Sequence, residues 1–161
     1  MKFLSARKAV VGLLLVGFSF ASAWGGECKL RAQLVWGTDG EKPDGKDLPE
    51  LEAKLKGKLS HFRWKNYWVV KSEDTDVSGV EAKKATLGKC AVELRDTGKG
   101  QLEVKLFNVD KDGKLKHLRT VTEPMEKLQK GGTLIVGGDS KDTWNDAWMV
   151  VITVAPPAPA R

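Results

Sequence analysis

The sequence predicts a mainly β protein, an antiparallel β-sandwich of about seven or eight strands with one short amphipathic helix between the first two strands. Segments with apolar residues at every second position recur along the chain, and clusters of Gly, Asp, Asn and Pro separate them. The pattern shows no regular alternation of strands with helices, which a parallel sheet would require. The alternative arrangement is a single antiparallel sheet backed by the helix.

The strands follow from this alternation. In "CKLRAQLVW" (28–36), Cys28, Leu30, Ala32 and Leu34 share one face, and polar residues occupy the other. The segment 147–154 ("AWMVVITV") is apolar on both faces, which is typical of a strand covered on both sides. The remaining predicted strands are 61–71, 80–87, 89–95, 101–109, 114–122 and 133–139.

The helix is predicted after the loop "GTDGEKPDGKD" (37–47). Asp47 can cap it, and Glu50 three residues later completes a capping-box arrangement. Leucines then recur at spacings of three and four, which predicts one apolar stripe, formed by Leu48, Leu51, Leu55 and Leu59.

The first residues have the pattern of a secretory signal peptide, 1–23. A basic start precedes the apolar run 9–20, which is short for a membrane span, and "ASA" (21–23) resembles a cleavage site. An uncleaved anchor is the alternative. We therefore predict an exported chain, periplasmic or extracellular, that begins at Trp24 and does not insert in the membrane after cleavage. Residues 24–154 would form one domain, and the Pro-rich tail 155–161 would be disordered.

The charge balance argues against nucleic-acid binding. The chain has 27 Lys and Arg against 21 Asp and Glu. Three basic residues leave with the signal peptide, so the excess falls from six to three. The remaining charges are mixed along the chain rather than gathered into a basic run, which a nucleic-acid interface would need.

The two cysteines, Cys28 and Cys90, predict a disulfide in an exported protein. Such a bond would stabilise the fold by about 4 kcal/mol in the chain-entropy model. A redox or metal-binding pair is the alternative, but the sequence has no CxxC motif.

The stretch "NVDKDGKL" (108–115) resembles a calcium loop, with Asn108, Asp110 and Asp112 at alternate positions before Gly113. The twelfth position of such a loop should be an acid, and here it is Arg119. Because Asp-Gly between two alternating segments is also a strong hairpin signal, we predict a tight turn.

Two acid-rich loops could hold calcium if the fold brought them to one end. The first contains Asp39, Glu41, Asp44 and Asp47, and the second contains Asp139, Asp142, Asn145 and Asp146. Asp and Asn also favour turns for local reasons. We therefore predict no metal, with Asp39, Asp139, Asp142 and Asp146 as the weak candidates.

Six tryptophans are present: Trp24, Trp36, Trp64, Trp68, Trp144 and Trp148. Most are expected in the core, where each ring buries a large area. Trp64 and Trp68 lie four apart in a predicted strand and would share a face without a bulge. Trp144 lies in a polar loop and is expected to be partly exposed. Trp64, Trp68 and Trp144 are therefore the candidate ligand-binding residues.

Catalytic motifs are absent from the sequence: there is no GxSxG, no HExxH and no glycine-rich phosphate loop. His61 and His117 lie in predicted strands, and His117 interrupts the inward series, as a surface residue at a bulge would. The sequence therefore predicts a non-catalytic binding or protein-interaction module without a cofactor, whose partner is an unknown protein or glycan. The alternatives are a carbohydrate-binding module with tryptophan stacking platforms and a small secreted hydrolase. The expected working surface is the end that holds the two acid-rich loops.

Overall fold

Two four-stranded antiparallel sheets form the computed structural model, which describes residues 28–42, 47–137 and 146–157. The strands are β1 (Lys29–Thr38), β2 (Asn66–Asp76), β3 (Lys83–Leu87), β4 (Cys90–Asp96), β5 (Gln101–Val109), β6 (Leu115–Pro124), β7 (Leu134–Gly137) and β8 (Ala147–Val154). The helices are α1 (Ala53–Lys58) and α2 (Met125–Gln129). Sheet A has the order β2-β1-β8-β7, and sheet B has the order β3-β4-β5-β6. The predicted antiparallel sandwich is confirmed.

The main core lies between the two sheets. In β1 the even positions Leu30, Ala32 and Leu34 are buried, which is the predicted inward series. Val92 and Leu94 of β4 face them from sheet B and are fully buried. Alternation with a period of two therefore predicts which side of each strand meets the other sheet.

A second core covers the outer face of sheet A. The short helix α1 and the chain around it pack there on residues from β1, β2 and β8. The buried residues of this second core are Val35, Leu51, Leu55, Leu59, Tyr67, Val69, Met149 and Val151. Over this part of its area sheet A is a middle layer, which is why β8 is apolar on both faces.

The predicted helix is shorter than expected, because the chain before it is extended. The N–H of Leu51 donates to the carbonyl of Tyr67 (2.9 Å), and that of Val69 donates to the carbonyl of Pro49 (2.8 Å). These bonds attach residues 49–51 to β2, so the predicted cap at Asp47 is wrong. The helix begins at Ala53 without a side-chain cap.

The helix α2 was not predicted from the sequence. It is a single turn of five residues whose Met125 and Leu128 are buried in the main core. Its end is fixed by Gly131, which has a φ of +82°, and by the N–H of Gly132, which donates to the carbonyl of Lys127. In the described residues no helix has the length and apolar content needed to cross a membrane.

The predicted disulfide is wrong, because Cys28 and Cys90 are free thiols. Cys28 lies near Met125, whose N–H bonds to Gly100 just beyond the far end of β4. Cys90 begins that strand, and seven residues of strand separate its ends by roughly 20 Å. A disulfide needs Cα atoms within about 7 Å. Burial raises the pKa of both thiols, so they are weak nucleophiles at neutral pH.

We expect the folded protein to retain both thiols under oxidising conditions, because the two sulfur atoms cannot meet. Alkylation after denaturation without reductant should add two alkyl groups per chain, as measured by intact mass. The unfolding temperature should also be the same with and without reductant. If alkyl groups were added only after treatment with a reductant, the two cysteines would be joined in a disulfide, which would contradict the structure.

Candidate functional site

Three tryptophans from three neighbouring strands lie side by side at one end of sheet A. Trp36 of β1 is opposite Trp68 of β2 on one side and opposite Trp148 of β8 on the other. Directly opposed residues of antiparallel strands point to the same face. This is the inner face, because Leu34 precedes Trp36 by two residues in β1. We call Trp68, Trp36 and Trp148 the tryptophan row.

The rings of Trp36 and Trp148 are stacked on each other. Their centroids are 5.9 Å apart, and their planes differ by only 12°. The indole N–H of Trp36 donates to the carboxylate of Asp146 at 2.9 Å, which fixes the orientation of the ring. Both rings are half-buried, and Trp148 packs against the main core. The row therefore closes one end of the core and also reaches the surface.

Trp68 differs from its neighbours because its indole N–H has no hydrogen-bond acceptor among the described residues, although the nitrogen is buried. A buried donor without a partner costs about 1–3 kcal/mol. The ammonium group of Lys42 lies 5.9 Å from the centre of the Trp68 ring, within the range of a cation–π contact. This end of the row therefore combines an aromatic ring, a cation and an unused donor.

Trp64 does not share a face with Trp68, so that prediction is wrong. The strand β2 begins at Asn66, and Trp64 precedes it and packs against the second core on the outer face. Its ring lies 6.0 Å from that of Phe62 and 5.5 Å from the guanidinium of Arg63. Trp64 thus belongs to the layer that covers sheet A from outside, and Trp144 lies outside the described residues.

Both acid-rich loops adjoin the end of sheet A that carries the row, because one follows β1 and the other precedes β8. Asp39 accepts a hydrogen bond from the N–H of Lys65 (3.1 Å), and Asp146 accepts the bond from Trp36. Asp44, Asp139, Asp142 and Asn145 lie outside the described residues. Within residues 28–42, 47–137 and 146–157, no three acidic, histidine or cysteine side chains are grouped as metal ligands would be.

The segment 108–115 forms the predicted hairpin turn between β5 and β6. One carboxylate oxygen of Asp110 accepts hydrogen bonds from the N–H groups of Asp112 (2.9 Å) and Lys114 (2.8 Å). Gly113 has a φ of +77°, a conformation that glycine adopts without strain. The carboxylate of Asp110 therefore stabilises the turn.

The two histidines are exposed, and neither lies on a strand that carries the tryptophan row. His61 lies in the turn before β2 rather than in a strand, so its predicted placement is wrong. His117 lies on β6 beside a bulge, as its break in the pattern predicts. It contacts the ring of Phe107 edge-on at 5.5 Å and hydrogen-bonds Thr120.

A groove of about 210 Å³ with a mixed polar and apolar lining lies on the outer face of sheet A, between α1 and the chain after α2. Two of the cations that line it, Arg31 and Lys58, already have partners. The Arg31 guanidinium binds Asp74 at 2.7 Å and holds the pKa of that carboxyl below its usual value. Lys58 donates to the carbonyl of Gly131 and to the hydroxyl of Thr133. Because Arg31 and Lys58 are engaged within the fold, this groove is a weaker candidate site than the tryptophan row.

Comparison of the chain with protein-family models, with curated proteins and with solved structures found no match in any of the three. The site is therefore interpreted from its own residues.

Sequence reasoning selected Trp68 but missed Trp36 and Trp148 as its neighbours. One signal for Trp36 was available, since it continues the inward series of Leu30, Ala32 and Leu34 by one further step. Its pairing with Trp68 and Trp148 depends on the register of strands that are distant in the chain. That register is a property of the folded sheet.

Proposed function

We propose that this chain is an exported, non-catalytic interaction module that contacts a partner protein through the tryptophan row. The observation that supports this most directly is the row itself, three half-buried indoles on adjacent strands. Tryptophan is enriched among the residues that contribute most binding energy in protein interfaces. Charged groups of Lys42 and Asp146 border the row, as polar groups border the apolar centre of an interface.

The ring geometry favours a protein over a glycan as the partner. A sugar ring stacks on the open face of an aromatic side chain. The nearly parallel rings of Trp36 and Trp148 turn one face of each toward the other, so fewer faces remain for a sugar. The ring of Trp68 has Lys42 over it. The half-buried indoles, bordered by the charged groups of Lys42 and Asp146, suit a protein surface that carries both apolar and charged groups.

Site-specific photocrosslinking in an exporting host tests this proposal. A photoreactive amino acid in place of Lys42 should capture a defined partner protein, because that position adjoins the ring of Trp68. The same amino acid in place of Lys99 is the matched control, since the turn between β4 and β5 lies at the opposite end of the sandwich. N-terminal sequencing of the captured chain tests export, with Trp24 as the expected first residue.

Two tryptophan variants then separate a local effect from a general one. Trp68→Ala should reduce crosslinking by at least about tenfold, as expected for a dominant interface residue. Trp64→Ala removes the same side chain from the opposite face of sheet A and should leave crosslinking unchanged. Equal crosslinking from positions 42 and 99, or no effect of Trp68→Ala, would refute the proposal. A soluble polysaccharide that raises the unfolding temperature of the wild type but not of Trp68→Ala would support the carbohydrate-binding alternative instead.

A further inference from the structure

The strand β6 ends sheet B, and its open side receives no backbone hydrogen bond from the described part of the chain. It is ten residues long, and every residue from 110 to 120 is exposed. Leu115 and Leu118 are 37% and 45% exposed. An edge of this length presents a row of free N–H and C=O groups to which another strand can pair.

The other sheet edges are shorter or partly covered. On β3 the N–H of Thr86 donates to the carboxylate of Glu73 at 3.0 Å. Part of β2 is paired with residues 49–51, as described above, and β7 has only four residues. The open side of β6 is therefore the longest free edge in the residues that the structure describes.

This edge is basic. Lys114, Lys116 and Arg119 fall within the nine residues 114–122, which contain no acid. In the described residues none of these three cations forms an ion pair. The nearest acid before them, Asp110, uses a carboxylate oxygen to bind the turn backbone. The edge thus offers backbone hydrogen bonds, two exposed leucines and uncompensated positive charge together.

We propose that β6 is a docking site for an extended acidic segment of a partner protein, which adds to sheet B as a fifth strand. In this mode of recognition main-chain hydrogen bonds provide affinity and alternate side chains provide specificity. Carboxylates of the added strand would pair with Lys116 and Arg119, and its apolar residues would contact Leu115 and Leu118. The proposal does not depend on the tryptophan row, which lies on sheet A.

The charge of the edge decides between an acidic segment and a second copy of this chain. Two β6 edges paired together would place lysines and arginines near one another, and like charges across strands are destabilising. Basic residues on edge strands are a known means of preventing such self-pairing. An acidic strand would instead be attracted to the cations of β6, because its carboxylates carry the opposite charge.

Calorimetric titration of the folded chain tests the proposal with a synthetic peptide of alternating glutamate and valine. We expect binding that weakens as salt is raised, together with new amide protection along β6 in hydrogen-exchange measurements. The double variant Lys116→Glu with Arg119→Glu should bind the peptide about tenfold more weakly. The matched control, Lys84→Glu with Lys99→Glu, makes the same change in net charge on other parts of the surface and should retain binding.

A peptide of the same sequence with alternate backbone amides methylated distinguishes strand addition from simple charge attraction. It keeps every carboxylate but loses half of its backbone donors, so it should bind at least about tenfold more weakly. Equal binding of the methylated peptide would overturn the proposal in favour of a non-specific anion-binding patch. Association of the chain with itself through β6 in the absence of peptide would also overturn it.

Discussion

Replacing Leu59 by alanine should lower the free energy of unfolding by about 2–5 kcal/mol, the range for a leucine removed from a packed core. Leu59 is only 1% exposed and ends the apolar stripe that holds α1 on sheet A. A helix of six residues is not stable alone and depends on this packing. The hydroxyl of Tyr67 donates to the carbonyl of Leu59 at 3.2 Å. The smaller alanine side chain would leave this buried hydrogen bond more accessible to solvent. Urea unfolding followed by circular dichroism measures the change.

The matched control for this substitution is Leu118→Ala. Leu118 is 45% exposed on β6, so its truncation should cost well under about 1 kcal/mol. If Leu59→Ala cost no more than Leu118→Ala, the second core would not be part of the cooperative fold. The helix α1 would then lie on the surface of a two-layer sandwich without contributing to its stability.

Replacing Gly37 by valine should destabilise the protein by about 1–3 kcal/mol, as expected for overpacking. A Cβ at this position would lie 3.2 Å from two ring atoms of Trp64 and 3.3 Å from Tyr67. Glycine is therefore required here for steric reasons, because the indole of Trp64 lies directly over the strand. Valine, which otherwise favours strands, would push that ring off the sheet. The free energy of unfolding, measured in denaturant, reports the effect.

Gly57→Ala provides the control, since a Cβ there meets no atom within 4 Å. Gly57 lies inside α1, where alanine is favoured over glycine by roughly 0.5–1 kcal/mol. We therefore expect the unfolding free energy to rise for Gly57→Ala and to fall for Gly37→Val. A rise for both would show that Trp64 does not occupy the position over Gly37.

Local patterns were sufficient to predict much of the fold. The strands β5 and β8 have the bounds that alternation and apolar content predict, and the turn at Gly113 follows from its Asp-Gly pair. The start of α1 could not be predicted in the same way. Residues 49–51 bond to β2, and the sequence does not show that a backbone partner is available there.

The candidate site was less predictable because it depends on which strands are neighbours. The spacing of Trp64 and Trp68 suggested a shared face, but β2 begins between them. The presence of two cysteines in an exported chain suggested a disulfide, but Cys28 and Cys90 lie toward opposite ends of β4. In both cases the relative position of the two residues depends on where the strands begin and on how the sheets are assembled, which a pattern within one segment does not show.

The pairing of β1 with β8 sets a condition on when this protein can fold. Leu30 lies opposite Val154, so the two central strands of sheet A come from distant parts of the chain. Neither sheet A nor the core beneath it can be completed until the residues up to Val154 have left the ribosome. Contacts of such long sequence separation form slowly. If the chain is exported as proposed above, this delay would keep it unfolded during translocation across the membrane, and the sandwich would fold after export.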